Sequence, residues 1–403
     1  VWMIPNALDT NTPHDFYLHG GDEYITYPYV VWMLSPADSM ESAVYHFFIY
    51  EDYHYGYPFY FLSMLVLLPV RIIAGAGFAD LTQLNLLLLR QFISVLPMIL
   101  SAGVLTWLQT RFQSKGKSIA LFVILLTLGG VAHYNSRFWH PDALVVLCAA
   151  LTILFLSRDR FQYRSNFLWA AFFCGLATAI KLFGVFFVFS IAGYLIVGLV
   201  RRVLTLKRAA LVSAGFLAVM IATFIFTNPF LFFKDARQYA GQILQEKSAE
   251  VSQGYQEADP QGVYRKGVAA TLPFLREPYG LPFVLAFLVV SIGAAFACGR
   301  DRLVNGVLLG WVLTSGLYLI FFSAIKNYHY WLPIMVPLFS GFFGLAEAAR
   351  HCQGEGRLAA AFKRAEPAVE RIVWLLVLFQ IGWGIYHALP YWQDLTRIGE
   401  LIR

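Results

Sequence analysis

"FLWAAFFCGLATAIKLFGVFFVFSIAGYLIVGLVRR", residues 167–202, contains one charge, Lys181, in the whole interval between Arg164 and Arg201. A bilayer crossing needs about 20 apolar residues. The stretch divides at Lys181 into runs 166–181 and 183–200, which read as two successive crossings ending in an arginine pair. Similar runs recur at 59–78, 88–110, 118–133, 141–157, 209–227, 281–298, 303–323, 330–349 and 371–389. Of 403 residues, 59% are hydrophobic, 17% aromatic and only 13% charged, too little charge to coat a soluble surface. The expected fold class is an all-α polytopic membrane protein.

The net charge of +6 is not a nucleic-acid signature, because the basic residues sit in short clusters between apolar runs. These are Arg111/Lys115/Lys117, Arg158/Arg160/Arg164, Arg201/Arg202/Lys207/Arg208, Arg300/Arg302 and Arg350 through Arg371. If each of the ten runs from residue 88 onward crosses once, all five clusters share one side, the cytoplasmic one. The run at 59–78 then has the outside on both flanks and is expected to be re-entrant or interfacial. The organisation follows as 1–87, an outer segment with interfacial helices; 88–227, a transmembrane core with a second outer loop at 133–142; 228–280, an outer loop; and 281–403, C-terminal transmembrane helices. The chain opens at "VWMIPNALDT", and a further membrane anchor is expected before it. The four cysteines show no metal-ligand spacing, and no structural disulfide is expected. No internal repeat of 20–50 residues is visible.

This topology puts Asp22, Glu23, Glu51, Asp52, His54, Arg137, His140, Asp142, Lys181, Asn228, Lys326, Asn327 and His329 at one face, where ionisable groups are expensive and default to functional roles. In "SRFWHPDAL" (136–144), Pro141 opens a helix whose first N–H groups favour an anion, with the Arg137 fork nearby. Against this stands an arginine that merely reaches for the headgroups. Lys181 is either such a residue or a partner for phosphate or carboxylate, and Gly175 and Gly184 let its backbone approach a neighbour. "YHFFIYEDYHYGYPFY" (45–60) holds nine aromatic residues, Tyr57 among them. An aromatic belt accounts for the rings but not for Glu51, Asp52 and His54 between them, which suit a sugar-binding surface. Lys326 and His329 open a helix, where either could pair with lipid phosphate as an anchor. Asn228-Pro229 reads chiefly as a helix stop, and 234–268 as a polar surface helix and turn.

The order of these elements is an outer Asp-Glu pair, "HYGYPFYFLSMLVLLP", "SRFWHPDAL", "GLATAIKLFG", "TNPFLF" and "KNYHYWLPIMVPL". It resembles the GT-C superfamily of polyprenyl-phosphate-sugar-dependent glycosyltransferases over nearly the whole chain, and most of all the protein O-mannosyltransferase-like group and the bacterial lipid A aminoarabinose transferases. The resemblance implies that Asp22 is the base for the acceptor hydroxyl, that Glu23 shapes its site, and that Asp142 positions the reacting groups. It also implies that Arg137 and Lys181, with Lys326 and His329, hold the donor phosphate. Glu51, Asp52, His54, Tyr57 and His140 would then contact substrate. Bacterial relatives often carry Glu-Lys-Pro-Pro where this chain has "HYGYP", so His54 would replace that lysine; Lys326/His329 stand where an Arg-Tyr pair is more usual. The implied partners are a polyprenyl-phosphate sugar, membrane lipids and a lipid or glycan acceptor in preference to a protein, since 228–280 is too short for a large acceptor-recognition domain. The site would lie on the outer face of the bacterial inner membrane. No cofactor is required, although Asp22, Glu23 and His54 carry donors suited to a divalent metal. Phosphate needs little acid help to leave; cations over it and a carboxylate on the opposite face give a single displacement with inversion. The competing readings are a transporter or flippase of a lipid-linked or anionic solute and a non-catalytic subunit of a membrane complex.

Overall fold

The computed structural model describes residues 10, 21–254, 265–352 and 363–401. The rest of the expected outer segment 1–87, the middle of the 228–280 loop and part of the basic stretch after Arg350 lie outside the described residues. The described chain is helical, with no strands. Its helices are α1 (Asp22–Met33), α2 (Met40–Phe48), α3 (Tyr57–Ala74), α4 (Thr82–Thr110), α5 (Lys115–Thr127), α6 (Asp142–Asp159), α7 (Ser165–Ile180), α8 (Phe187–Val200) and α9 (Leu206–Phe226). They continue with α10 (Lys234–Gln253), α11 (Val268–Tyr279), α12 (Pro282–Cys298), α13 (Arg302–Phe321), α14 (Tyr328–His351) and α15 (Glu366–Leu401). Seven are long and apolar enough to cross a membrane, α8 together with the turn before it (Leu182–Val200), and an eighth is counted if α11 and α12, bent by 90°, form one span. The protein is an integral, polytopic membrane protein.

Ten crossings were expected from residue 88 onward; α5, α6 and α7 fall short of that length and apolarity, although α6 runs from a cavity at Asp142 to a hollow at Arg158. The 118–133 run is broken: α5 stops at Thr127, and Gly129-Gly130 leads into a π-helical turn, Gly130–Asn135. α6 carries Asp142, Arg158 and Asp159 at its ends, and α7 has only 16 residues. The run at 59–78 becomes one unbroken helix of 18 residues, itself long enough to span, and the chain turns only at Gly75. The run's Gly- and Ala-rich end, Gly75–Asp80, forms the turn that leads from α3 into α4.

α6 is the central helix, with apolar or small side chains all round it and nearly every residue buried. A helix with that pattern has to be enclosed. Without a hydrophobic drive between helices in lipid, close packing of small residues takes over. Gly175 of α7 shows the effect, since a Cβ there would meet the Met220 carbonyl oxygen of α9 at 2.6 Å, as the glycines around Lys181 led us to expect. Two ends of the bundle are thereby defined. Arg111, Arg158, Arg160, Arg201, Arg300 and Arg302 gather around one hollow. Lys117 joins Glu370 at 2.9 Å, and Arg350 joins the same glutamate at 2.9 Å. Asp142, Lys181 and Asn327 meet at a second cavity, and Asp142 and Asp159 terminate opposite ends of α6.

Candidate active site

Four connections build the second cavity. α1 opens with Asp22 and Glu23 after Gly21, whose φ of 51° suits a residue without Cβ. Glu23 is 1% exposed and receives Arg90 Nε at 2.9 Å and Nη2 at 2.5 Å, together with the Trp139 backbone N–H. Arg90 lies in a π-helical turn of α4, Arg90–Val95, and Ser94 of the same turn holds the 135–140 loop. Its hydroxyl donates to the Phe138 carbonyl at 2.7 Å and accepts the His140 N–H at 3.1 Å. Trp139 locks the loop on α3, stacking on Phe59 at 4.8 Å and donating from Nε1 to Ser63 at 3.0 Å.

The third connection is the break at Lys181. α7 stops there, and Lys181 adopts extended backbone before a 3-10 turn, Leu182–Phe186. Gly56 allows the aromatic segment to lie directly on this break: its N–H donates to the Ile180 carbonyl at 3.0 Å, and a Cβ on Gly56 would collide with the Ala179 carbonyl. Asn228 completes the clamp, its Oδ1 accepting the Tyr57 N–H at 3.0 Å while its Nδ2 donates to the Phe224 carbonyl at 2.9 Å. It is therefore more than a helix stop. The fourth connection is α10, which lays Lys247, Ser248 and Glu250 along the cavity.

The cavity holds about 510 Å³ and is lined by Asp22, Asp52, His54, Tyr55, Asp142 and Lys181, with Leu182, Phe183, Val185 and Phe186 on its apolar side. Lys181 Nζ lies 2.8 Å from Asp142 Oδ1 and 4.6 Å from the centre of the Tyr330 ring. His140 bridges the two carboxylates: Nδ1 rests against Asp142, and Nε2 is 3.7 Å from Asp22 and 2.6 Å from the Tyr55 hydroxyl. Asp52 accepts from the Tyr60 hydroxyl at 2.5 Å and pairs with His54 Nδ1 at 2.7 Å. The hydrogen bond from His140 holds the Asp22 carboxyl well below the usual carboxylate range, against the opposing effect of burial. Burial works against the His140 cation, yet Asp142 and Asp22 together raise its pKa above the ordinary value. The Asp52 hydrogen bond likewise raises His54.

Several residues read from the sequence lie elsewhere. Glu23 is consumed by Arg90 and the loop and does not line the cavity. Arg137 stands over the Phe138 ring at 5.6 Å, outside the cavity lining, because the loop is pinned through Trp139 and His140 instead. Lys326 turns back on the end of α13, donating to the carbonyls of Leu319, Ile320 and Ser323 as a C-terminal cap, and it is not among the cavity-lining residues. Burial lowers its pKa to about 8. Glu51 is exposed at φ 62° outside the lining, and Tyr57 packs among Phe47, Phe48 and Phe61. His329 is buried behind the cavity, its ring 4.3 Å from His140 and stacked on Tyr134 at 5.1 Å. The metal-donor set Asp22, Glu23 and His54 is not assembled, since Glu23 and His54 have other partners. Asp22, His140 and His329 instead bring one donor atom each within 4.8 Å of one another, and these are the described residues that could hold a cation. The sequence reading passed over Tyr55, Tyr330, Lys247 and Glu250. Tyr55 carried a signal, as one of the rings beside His54; nothing in the α10 sequence indicates what it folds over.

An ionised carboxylate and an ammonium in one cavity at the end of a transmembrane bundle, with an apolar wall beside them, are the parts that group transfer at a membrane surface requires. Fold and site together define an integral-membrane transferase architecture. The family model for Glycosyltransferase family 87 matches residues 58–323, two thirds of the chain, and the chain belongs to that family. The match takes in His140, Asp142 and Lys181 and begins after Asp22. No curated protein matches the chain.

Proposed function

We propose that the protein transfers a sugar from a polyprenyl-phosphate donor to a hydroxyl of a lipid or glycan acceptor, by one inverting displacement. The observation that carries this reading is the composition of the cavity: Asp22 and Lys181 share it with Leu182 and Val185, which are exposed on the flank of a membrane-spanning segment. A lipid-linked phosphate fits that boundary, its prenyl chain against the apolar flank and its phosphate toward Lys181. The C1–O bond to phosphate breaks with its electron pair leaving on the phosphate, and the acceptor oxygen forms the new C1–O bond. The acceptor proton passes to Asp22. A carboxylate held at low pKa is a weak base, but it suffices here: the acceptor oxygen becomes strongly acidic only as its bond to an oxocarbenium-like carbon forms. Asp142 positions Lys181 and His140, and His140 in turn orients Asp22. Asp52 and His54 offer hydroxyl-binding groups to the sugar.

The site in this reading faces the outside of the bacterial inner membrane, opposite the arginine-rich end. The order of motifs further relates the chain to the protein O-mannosyltransferase-like and aminoarabinose-transferase groups. The reaction as written requires no metal, so turnover should survive chelation. The test is turnover of the purified protein with a panel of polyprenyl-phosphate sugars, wild type against Asp22→Asn. Transfer from one donor, lost in a folded Asp22→Asn that still binds the donor, supports the reading. Undiminished transfer by that variant removes Asp22 as the base, and tight binding without turnover in either form points to a transporter.

A further inference from the structure

The arginine-rich hollow at the opposite end of the bundle has no role in the reaction above. It measures about 1110 Å³. Arg111 comes from the end of α4, Arg158 and Arg160 from the end of α6, Arg201 from the end of α8, and Arg300 and Arg302 from the α12–α13 turn. One carboxylate, Asp301, joins them and is taken by Arg111 Nε at 3.3 Å. The nearby Asp159 is buried and spent internally on the Tyr194 hydroxyl at 2.7 Å and the backbone N–H groups of Tyr163 and Arg164 at 3.0 Å. Among the described residues, Arg158, Arg160, Arg201 and Arg302 form no ion pair. Three of the guanidiniums are held over rings: Arg111 and Arg158 lie 4.3 and 5.6 Å from the centre of Trp107, and Arg201 lies 5.1 Å from that of Phe161.

Below this cationic rim the walls turn apolar. Phe189, Gly193, Val197 and Arg201 follow one another at four-residue spacing and therefore share one face of α8. Leu303, Val307 and Gly310 present the facing wall from α13. A Cβ on Gly193 would meet nothing within 4 Å, so the groove is open at its midpoint. From Arg201 to Phe189 the helix rises roughly 18 Å at about 1.5 Å per residue, a little more than half of a ~30 Å hydrocarbon core. Ordinary positive-inside arginines decorate separate loops and point into the headgroup layer. Here they converge from four chain segments on one hollow with an apolar slot beneath it.

We propose that this groove binds one phospholipid with an anionic headgroup, its phosphate among Arg158, Arg201 and Arg302 and one acyl chain along the α8 face of Val197, Gly193 and Phe189, flanked by α13. Guanidinium forks match phosphate oxygens, and the slot accepts a chain that a soluble phosphate lacks.

The test is native mass spectrometry of the purified full chain titrated with phosphatidylglycerol or with phosphatidylcholine of the same acyl chains. One phosphatidylglycerol should be retained at least tenfold more tightly than phosphatidylcholine. Arg201→Gln combined with Arg302→Gln should lower that affinity at least tenfold. Gly193→Phe, which leaves every arginine in place, should do so by blocking the slot. Equal retention of the two lipids overturns the proposal, as does indifference to both variants. Competition by inorganic phosphate at concentrations similar to the lipid's overturns it in favour of a soluble-anion site. The lipid comparison and the phosphate competition use the wild-type protein, so a variant that fails to fold does not spare the proposal.

Discussion

Glu23→Gln separates the structural role of this residue from a chemical one. Glu23 and Arg90 have side-chain exposures of 1% and 0%, with Nη2 to Oε2 at 2.5 Å. Removing one charge from such a pair strands the other in a medium that cannot solvate it, at a cost of about 3–5 kcal/mol. Glutamine keeps an oxygen that can still accept the Trp139 N–H, which places the expected loss near the lower end. At about 2 °C per kcal/mol for a large domain, the melting temperature should fall by roughly 6 °C. Cys148 and Cys174 are buried and free while Cys298 and Cys352 are half-buried, so with a thiol-reactive fluorophore in detergent the labelling of the buried pair reports the unfolding. The double variant Glu23→Gln/Arg90→Met removes both charges and should recover much of the loss, the signature of a coupled pair. Turnover below the shifted melting temperature should fall much less than in Asp22→Asn. A melting temperature within 1 °C or so of wild type, with turnover as low as in Asp22→Asn, would refute the argument and make Glu23 part of the chemistry.

The acid limb of the pH–rate profile should lie below about pH 4, the ordinary aspartate value, because His140 holds the Asp22 pKa down; His140→Gln should move that limb upward. In stability terms the depressed Asp22 pKa contributes above its unfolded value and is lost as pH falls below it, so acid melting curves should show a component missing from Asp22→Asn. Lys181→Met should cost about 10²–10³ in kcat, as expected for a lost donor to developing charge, and raise the donor KM, whereas Arg137→Gln should stay within a few-fold of wild type in both. Lys326→Met should lower the melting temperature with little change in donor KM, because its ammonium caps helix carbonyls; a large rise in KM without loss of stability would restore it as a phosphate ligand.

Much of this protein was legible in one dimension. The class came from apolar runs long enough to cross a bilayer, and the sharing of one end by the basic clusters followed from counting crossings, a constraint that acts through sequence order alone. Asp22, Asp52, His54, Asp142 and Lys181 stood out because charge is costly at membrane depth, and they meet in one cavity. Which charges are neutralised by which partners was not legible. Glu23 and Arg90 are separated by 67 residues, and nothing in either segment marks the other. Arg137, three positions from His140, seemed equally available, yet the direction of a loop side chain depends on where Ser94 and Glu23 pin the backbone. Lys326 could turn to solvent or to its own helix end, and the carbonyls of α13 decided that. Runs such as 118–133 looked continuous because hydropathy sums over residues, while a crossing also depends on where Gly129-Gly130 lets the backbone leave the helix. Local chemistry therefore determined which residues are costly and on which face they lie. Only tertiary packing, through contacts between distant segments, decided which of those costs are met by a partner and which groups remain open for chemistry.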